Sequence, residues 1–333
     1  MVRTLVILVA YLLLIAGCSY TETDLHTRLK QQFIDNFKRH EIPAQAVLVK
    51  HQQTLLFANA KGSYAVDNAA NIQLSSVFPI FSITKLFTNT LIMQLHEEGK
   101  IDITKPASHY LTNLPHSWHK IPISAFLSHT SGVPEYFEMK QEQLVVPQSV
   151  EQVFTLLASE PLLFPPNTQT RYTQTNYLVV GALLETVTKT DYQQLVHQRI
   201  IEPLNLTHTR FGREEVNNQK TVAAYLPNSQ SGYLQNNIQF PRYAIVHSDA
   251  YSNVQDLSRF LSALMEGELV SRSVLSDWWQ PHPLENDSTS YFANGWEFGN
   301  TGDWKTVGHD GGALSRVRIV FKPDFSDYYL LSI

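Results

Sequence analysis

The sequence predicts an α/β (α+β) fold in which one antiparallel sheet, flanked by helices, is built from both ends of the chain and an all-helical lobe is inserted between them. Three observations carry this prediction. Short β-prone apolar stretches lie near the start and again near the end of the chain. The long middle, from Asp102 to Gly267, shows helical spacing punctuated by Pro161, Pro165, Pro166, Pro203 and Pro227. The 333 residues, 43% hydrophobic and 17% charged, are enough for a large core and unlike a disordered chain.

The elements follow in order. Leu25, Leu29, Phe33, Ile34 and Phe37 recur at helical spacing up to Arg39, and Pro43 ends the run. Ala46–Val49 and Thr54–Phe57 read as two strands joined at His51-Gln52-Gln53. A helix is expected from Ser82 to Glu98, with Phe87, Leu91, Met93 and Leu95 on its apolar positions and Gly99 at its stop. The middle offers helices at Ile123–Leu127, Val150–Ala158, Asn176–Thr186, Tyr192–Ile201 and Val254–Met265. Strands return at Gly295–Phe298, Lys305–Val307, Val317–Phe321 and Tyr328–Ser332. No internal repeat or low-complexity tract interrupts the chain.

The first residues read as an export signal. Arg3 precedes an uninterrupted apolar run, Leu5 to Ala16, too short to span a bilayer. Ile15-Ala16-Gly17-Cys18 resembles the bacterial lipoprotein box, in which cleavage precedes the Cys and its thiol carries lipid. On that reading residues 1–17 are a signal peptide, 18–24 a tether and 25–333 the working domain; an ordinary secretory signal with a chance Cys is the alternative. Lipidation of Cys18 implies membrane attachment through acyl chains alone. Ser19, where a retention signal has Asp, points to the outer membrane, facing the periplasm. Cys18 is the only cysteine, which excludes an internal disulfide and paired-thiolate zinc sites. A net charge of -5 without a basic run argues against a nucleic-acid partner.

The chemistry concentrates at Phe81-Ser82-Ile83-Thr84-Lys85. Ser and Lys three apart on a helix share a face, and a helix N-terminus favours developing negative charge. A serine hydroxyl attacks only when something takes its proton, and a desolvated lysine amine close by can do so. Ser82 as a mere helix N-cap is the plainer alternative. A second match, Ser117-Trp118-His119-Lys120, lies between Pro115 and Pro122, where a helix is not expected. His109, His116, His119 and His129 lack carboxylates at ligand spacing, so no metal is implied. His129-Thr130-Ser131-Gly132 reads as a turn with capping hydroxyls.

Phe78-Pro-Ile-Phe-Ser-Ile-Thr-Lys-Leu-Phe-Thr-Asn-Thr and Leu95-His-Glu-Glu-Gly-Lys-Ile-Asp resemble the serine beta-lactamase, penicillin-binding-protein and esterase superfamily, in its class C-like branch. Leu127-Ser-His-Thr-Ser-Gly-Val-Pro, Tyr172-Thr-Gln-Thr-Asn-Tyr-Leu-Val-Val-Gly and Gly308-His-Asp-Gly-Gly echo the same branch in the same order. The resemblance covers the chain from about Ala44 onward and implies a beta-lactamase/DD-peptidase-like fold. It assigns Ser82 as nucleophile, with Lys85 and Tyr172 in proton transfer. A phenol needs a nearby cation, such as a charged Lys85, to serve as a base. Gln174 stands where the family has Asn, an amide that contacts the Lys and the substrate. His309 is expected to supply a hydrogen-bond donor, Gly311 to let substrate approach, and Gly312 to form an oxyanion hole with the Ser82 N–H.

The function implied is hydrolysis of a carboxylic ester or amide through a Ser82 acyl-enzyme, on a short ester, a D-Ala-type peptide or a beta-lactam, with no cofactor. The rival is an idle cell-envelope lipoprotein that binds a peptidoglycan-type peptide in the same cleft. The family fold ordinarily ends with a further helix, whereas this sequence stops at Ile333 inside a strand pattern. Either the chain is truncated or another element covers that sheet face.

Overall fold

The computed structural model describes residues 22–333 apart from residue 40 and the stretches 141–142, 217–219 and 229–231. The stretch read as an export signal, with Cys18, lies outside the described residues. Two compact units are present, divided between Ile42 and Pro43. In the first, helix α1 (Glu22–Arg39) places Lys38 and Arg39 in its last turn, where cations complement the helix dipole. Among the described residues, no helix is long and apolar enough to cross a membrane.

The second unit is organised on an eight-stranded sheet. Its strands are β1 (Ala44–His51), β2 (Thr54–Ala65), β3 (Asn68–Asn71), β4 (Phe292–Ala293), β5 (Trp296–Thr301), β6 (Trp304–Asp310), β7 (Arg316–Phe321) and β8 (Tyr328–Ser332). They lie in the order β4-β5-β6-β7-β8-β1-β2-β3, with every neighbouring pair antiparallel. The two ends of the chain therefore meet where β8 pairs with β1, Val49 opposite Leu331. Alternation sets the register: Val317, Ile319 and Phe321 of β7 are buried together, and Arg316, Arg318 and Val320 are more exposed. The turn between β1 and β2 is tight, with Gln52 in the left-handed region at φ 51°.

Three longer helices complete the frame: α2 (Thr84–Glu97), α3 (Thr175–Thr188) and α4 (Val254–Glu266). Helix α4 packs on β1 and β8. Its ends are chemically defined, the Asn253 side chain accepting from the Asp256 N–H and Gly267 closing the helix at φ 78°. Helix α2 is buried along every residue from Thr84 to Met93, so its polar residues must be satisfied internally. Thr88 bonds the Val246 carbonyl, and Asn89 donates to the Gly295 carbonyl and accepts from the Tyr177 hydroxyl. These bonds tie the helix to both its helical surroundings and the β4–β5 connection.

The middle of the chain departs from the expected pattern in two places. The helix expected over Tyr192–Ile201 breaks register: an α-helical turn (Tyr192–Val196) gives way to a wider π-turn (His197–Ile201). Pro203, just beyond, has no N–H for the carbonyl four residues back. Small strands also punctuate the helices. Phe78–Pro79, Ala250–Ser252 and Arg210–Phe211 form a three-stranded sheet, and Glu138–Lys140/Gln143–Val145 and Tyr225–Asn228/Gly232–Gln235 form two hairpins. Strands of two to four residues are too short to leave a periodic signature. Ser117-Trp118-His119-Lys120 proves to be a 3₁₀ turn anchored by buried Trp118, with Ser117 and Lys120 exposed.

Candidate active site

Ser82 sits at a sharp strand-to-helix junction. Phe78–Pro79 pairs with Ala250–Ser252, the Ile80 N–H donates to the Ala250 carbonyl, and the chain then turns through a 3₁₀ segment, Phe81–Ile83, into α2. Ser82 thus precedes the helix that it was expected to open. Phe81 adopts φ 46°, a left-handed conformation that a bulky residue holds only when its surroundings enforce it. The Thr84 hydroxyl donates back to the Phe81 carbonyl, and the Thr84 side chain in turn accepts from the Ala250 N–H. Ser82 has no capping hydrogen bond to the helix, so its half-buried hydroxyl is available for other partners.

Those partners are Lys85 and Tyr172. The Tyr172 hydroxyl lies 2.9 Å from Ser82 Oγ and the Lys85 Nζ 3.3 Å from it. Lys85 is fully buried, and its second bond, at 2.9 Å, goes to the His247 carbonyl. Desolvation holds the Lys85 amine well below its ordinary value, against the pull of Glu135 and Glu297. Burial pushes the Tyr172 phenol up, against the hydrogen bonds it shares with Ser82 and Gln174. The sequence allowed either a desolvated Lys85 amine as base or a cationic Lys85 beside an ionisable phenol. Burial lowers the amine's hold on a proton and raises the phenol's, which favours the amine as base and the phenol as donor.

A shell of buried groups holds this trio, and the sequence reading passed over most of it. His129 is a turn residue as expected, at φ 56°, but its ring is fully buried against Tyr172, with centroids 4.4 Å apart. Its Nδ1 accepts from the Asn176 amide at 3.0 Å, and Asn176 Oδ1 accepts from the Ser131 hydroxyl. Burial and nearby Lys85 keep His129 neutral. Glu135 accepts from the backbone N–H groups of Gln174 and Tyr136, and desolvation raises its carboxyl above the ordinary range. Gln174 is half-buried at the start of α3 and is no surface loop residue. Its side-chain Oε1 is buried without a hydrogen-bond partner, and Lys85 bonds Ser82 and the His247 carbonyl instead.

The other wall is the end of β6. His309 is buried with its ring 5.9 Å from that of Tyr172. Its Nδ1 lies 2.6 Å from the Asp310 carbonyl oxygen, which can only accept, so Nδ1 carries the proton and Nε2 is left as an acceptor. The donor expected of His309 is therefore spent on its own strand. Desolvation, with Lys85 and Arg318 nearby, holds its pKa down to about 3, so the ring is neutral. Behind it, Arg318 bridges Glu297 and Asp310 at 2.6 Å each, and Arg316 clasps Asp310. Gly311 and Gly312 press on the turn that carries Ser82. A Cβ on Gly311 would lie 2.5 Å from the Ile80 carbonyl oxygen and 2.2 Å from Ser315 Oγ, and one on Gly312 would lie 3.0 Å from the Phe81 ring. Ser315 can rotate away, but the Ile80 carbonyl belongs to the backbone that aims Ser82. Gly311→Ala is expected to lower kcat/KM at least about tenfold, through misplacement of that turn. Steady-state kinetics beside a thermal melt check this, and a variant with native kinetics would show that the strand need not approach so closely.

Comparison with known proteins agrees with this architecture. The Beta-lactamase family model matches residues 29–324. Protein flp of Staphylococcus aureus (strain MRSA252) is 27% identical over 204 residues, 59% of this chain and 40% of that protein. Penicillin-binding protein 4* of Bacillus subtilis (strain 168) is 23% identical over 285 residues, 80% of this chain and 62% of that protein. The matched part of the chain thus spans less than two thirds of these relatives' own length. Among solved structures, the octameric penicillin-binding protein homologue from Pyrococcus abyssi superposes with a TM-score of 0.78 at 20% identity, covering 92% of this chain and 72% of its own. D-amino acid amidase from Ochrobactrum anthropi SV3, complexed with L-phenylalanine amide, gives 0.76 at 19% identity, covering 92% and 90%. With a match over most of its length and the fold to accompany it, the chain belongs to the Beta-lactamase family.

Proposed function

We propose that this protein is a serine hydrolase of the class C-like kind, cleaving a carboxylic ester or amide through a Ser82 acyl-enzyme. The observation that carries the reading is the convergence on Ser82 Oγ of the Tyr172 hydroxyl at 2.9 Å and the buried Lys85 amine at 3.3 Å. As Ser82 attacks the carbonyl carbon, its proton passes to the Lys85 lone pair while Tyr172 donates its hydrogen bond to the nucleophile. The Ser82 oxygen–carbon bond forms and the bond to the leaving group breaks. The leaving oxygen or nitrogen takes a proton from Tyr172, which recovers one from Lys85. Water then attacks the acyl carbon, giving a proton to the same pair; the bond from that carbon to Ser82 Oγ breaks, the acid is released, and Ser82 Oγ takes the proton back. The N–H groups of Ser82 and Gly312 are the donors assigned to the oxyanion. The resemblance to D-amino acid amidase along nearly its whole length makes D-amino acid amides and short esters the first substrates to try, ahead of D-Ala-type peptides and beta-lactams.

Brief exposure to p-nitrophenyl acetate followed by acid quench is expected to leave one acetyl group on the peptide containing Ser82, read by mass spectrometry. Acetylation elsewhere, or none alongside turnover, overturns the acyl-enzyme.

The lipoprotein box supports a second part of the proposal, that the enzyme is held in the bacterial cell envelope by lipid on Cys18. Metabolic labelling with a palmitate analogue is expected to mark the wild type and not Cys18→Ser; equal labelling of both refutes the anchor.

A further inference from the structure

The charges around His309 say what this site will accept. A leaving group that receives its proton from Tyr172 must lie beside that hydroxyl, and His309 is the residue of β6 whose ring flanks Tyr172. A carboxylate placed there would need an unpaired cation to replace the water it loses. Neither cation at this end of β6 is free. Arg318 is committed at 2.6 Å to both Glu297 and Asp310, and Arg316 grips both oxygens of Asp310. His309 donates its ring proton to the Asp310 carbonyl and turns an unpartnered, buried Nε2 lone pair outward from that bond. The Asp310 N–H is itself given to Glu297. Two carboxylates thus neutralise two guanidiniums, and the His309 Nε2 is left as a buried acceptor without a partner. Lys85 stands behind Ser82, bonded to the His247 carbonyl and shut off from solvent.

We infer that the enzyme acts on esters and amides whose leaving group carries no carboxylate, and that Asp310 and Glu297 set this preference by holding Arg316 and Arg318. The inference rests on the acyl-enzyme reading above and narrows its substrate class. An uncharged leaving group that can donate a hydrogen bond, such as a primary amide or an alcohol, suits the His309 Nε2 acceptor. A peptide or beta-lactam with a free carboxylate beside the scissile bond meets carboxylates and a lone pair instead.

The test uses a matched pair: the phenylacetylglycyl esters of 3-hydroxybenzamide and 3-hydroxybenzoate, which differ only in CONH₂ against COO⁻ on the leaving group. Rates are normalised to each ester's hydroxide hydrolysis. The full chain is expected to favour the carboxamide in kcat/KM at least tenfold. Ser82→Ala is expected to bind it at least several-fold more tightly by calorimetry. Asp310→Asn, and separately Glu297→Gln, release guanidinium charge and are expected to narrow the gap several-fold by improving the carboxylate ester. Equal or better handling of the carboxylate ester by the wild type overturns the inference. A gap unchanged in both variants removes Asp310 and Glu297 from it. If neither ester shows Ser82-dependent turnover, the acyl-enzyme reading fails, and the two affinities still decide the charge preference.

Discussion

Ser82→Ala is expected to cut the hydrolysis of p-nitrophenyl acetate by about a thousandfold or more, because nucleophile, acceptor for Tyr172 and partner for Lys85 disappear together. The fold is expected to survive. The hydroxyl is half-buried, makes no capping bond to α2, and its loss leaves a space smaller than a methyl group. Circular dichroism should therefore superpose on the wild type, with a melting temperature within a few degrees. The residual rate is informative too. Oxyanion donors and binding alone retain part of the catalysis, so the variant should remain above the solvent rate. Undiminished turnover in a well-folded Ser82→Ala protein would sink the acyl-enzyme outright.

Lys85→Met separates chemistry from stability. Met fills a similar volume without a charge, so the amine's role as proton acceptor is lost, and kcat should fall by about 10²–10⁴. The stability change depends on pH. The folded-state value of Lys85 is depressed below its ordinary 10.5 by burial, so between the two values the unfolded chain binds the extra proton. Wild-type stability accordingly rises with pH across that window and falls as the solution is acidified through it, by about 1.4 kcal/mol per unit. Below the folded-state value the penalty is complete and constant. The Met variant has no such dependence. Its stability relative to wild type should improve steadily as pH drops from about 10 toward the folded-state value of Lys85, superimposed on a fixed loss of about 1–3 kcal/mol for the unpartnered His247 carbonyl. The buried histidines, also depressed, add their effect only below about pH 6.5 and leave the alkaline window clear. Urea melts at a series of pH values measure the difference. Parallel curves for the two proteins would mean that Lys85 titrates alike folded and unfolded.

How far the site was legible in the sequence followed from how local each relation is. Ser82 and Lys85 are three residues apart, and the backbone itself brings such a pair within reach. Tyr172 and the His309–Gly312 segment lie far along the chain and were visible only through family resemblance. His247 was invisible because it acts through its backbone carbonyl, which every residue type offers. Glu135 and Glu297 belong to segments whose pattern marks a loop and a strand, and nothing in their spacing says that they face the same amine. His129 was read as a turn residue because its neighbours are turn-formers. That was correct for its backbone, while its ring is packed into the site.

The sequence by itself determined the architecture: a sheet closed by strands from both ends, a helical middle, and a Ser and Lys poised on one turn. Hydrophobic period and short-range spacing are set by bond geometry, which any copy of these residues obeys. Only the tertiary structure decided the protonation states. The sequence left the amine's charge open and had the imidazole as a donor to substrate; burial weakens the amine's hold on its proton, and a neighbouring carbonyl takes the imidazole proton. A residue's charge depends on how much water it keeps and on which dipoles face it. Those are properties of the packed interior, where segments hundreds of positions apart converge.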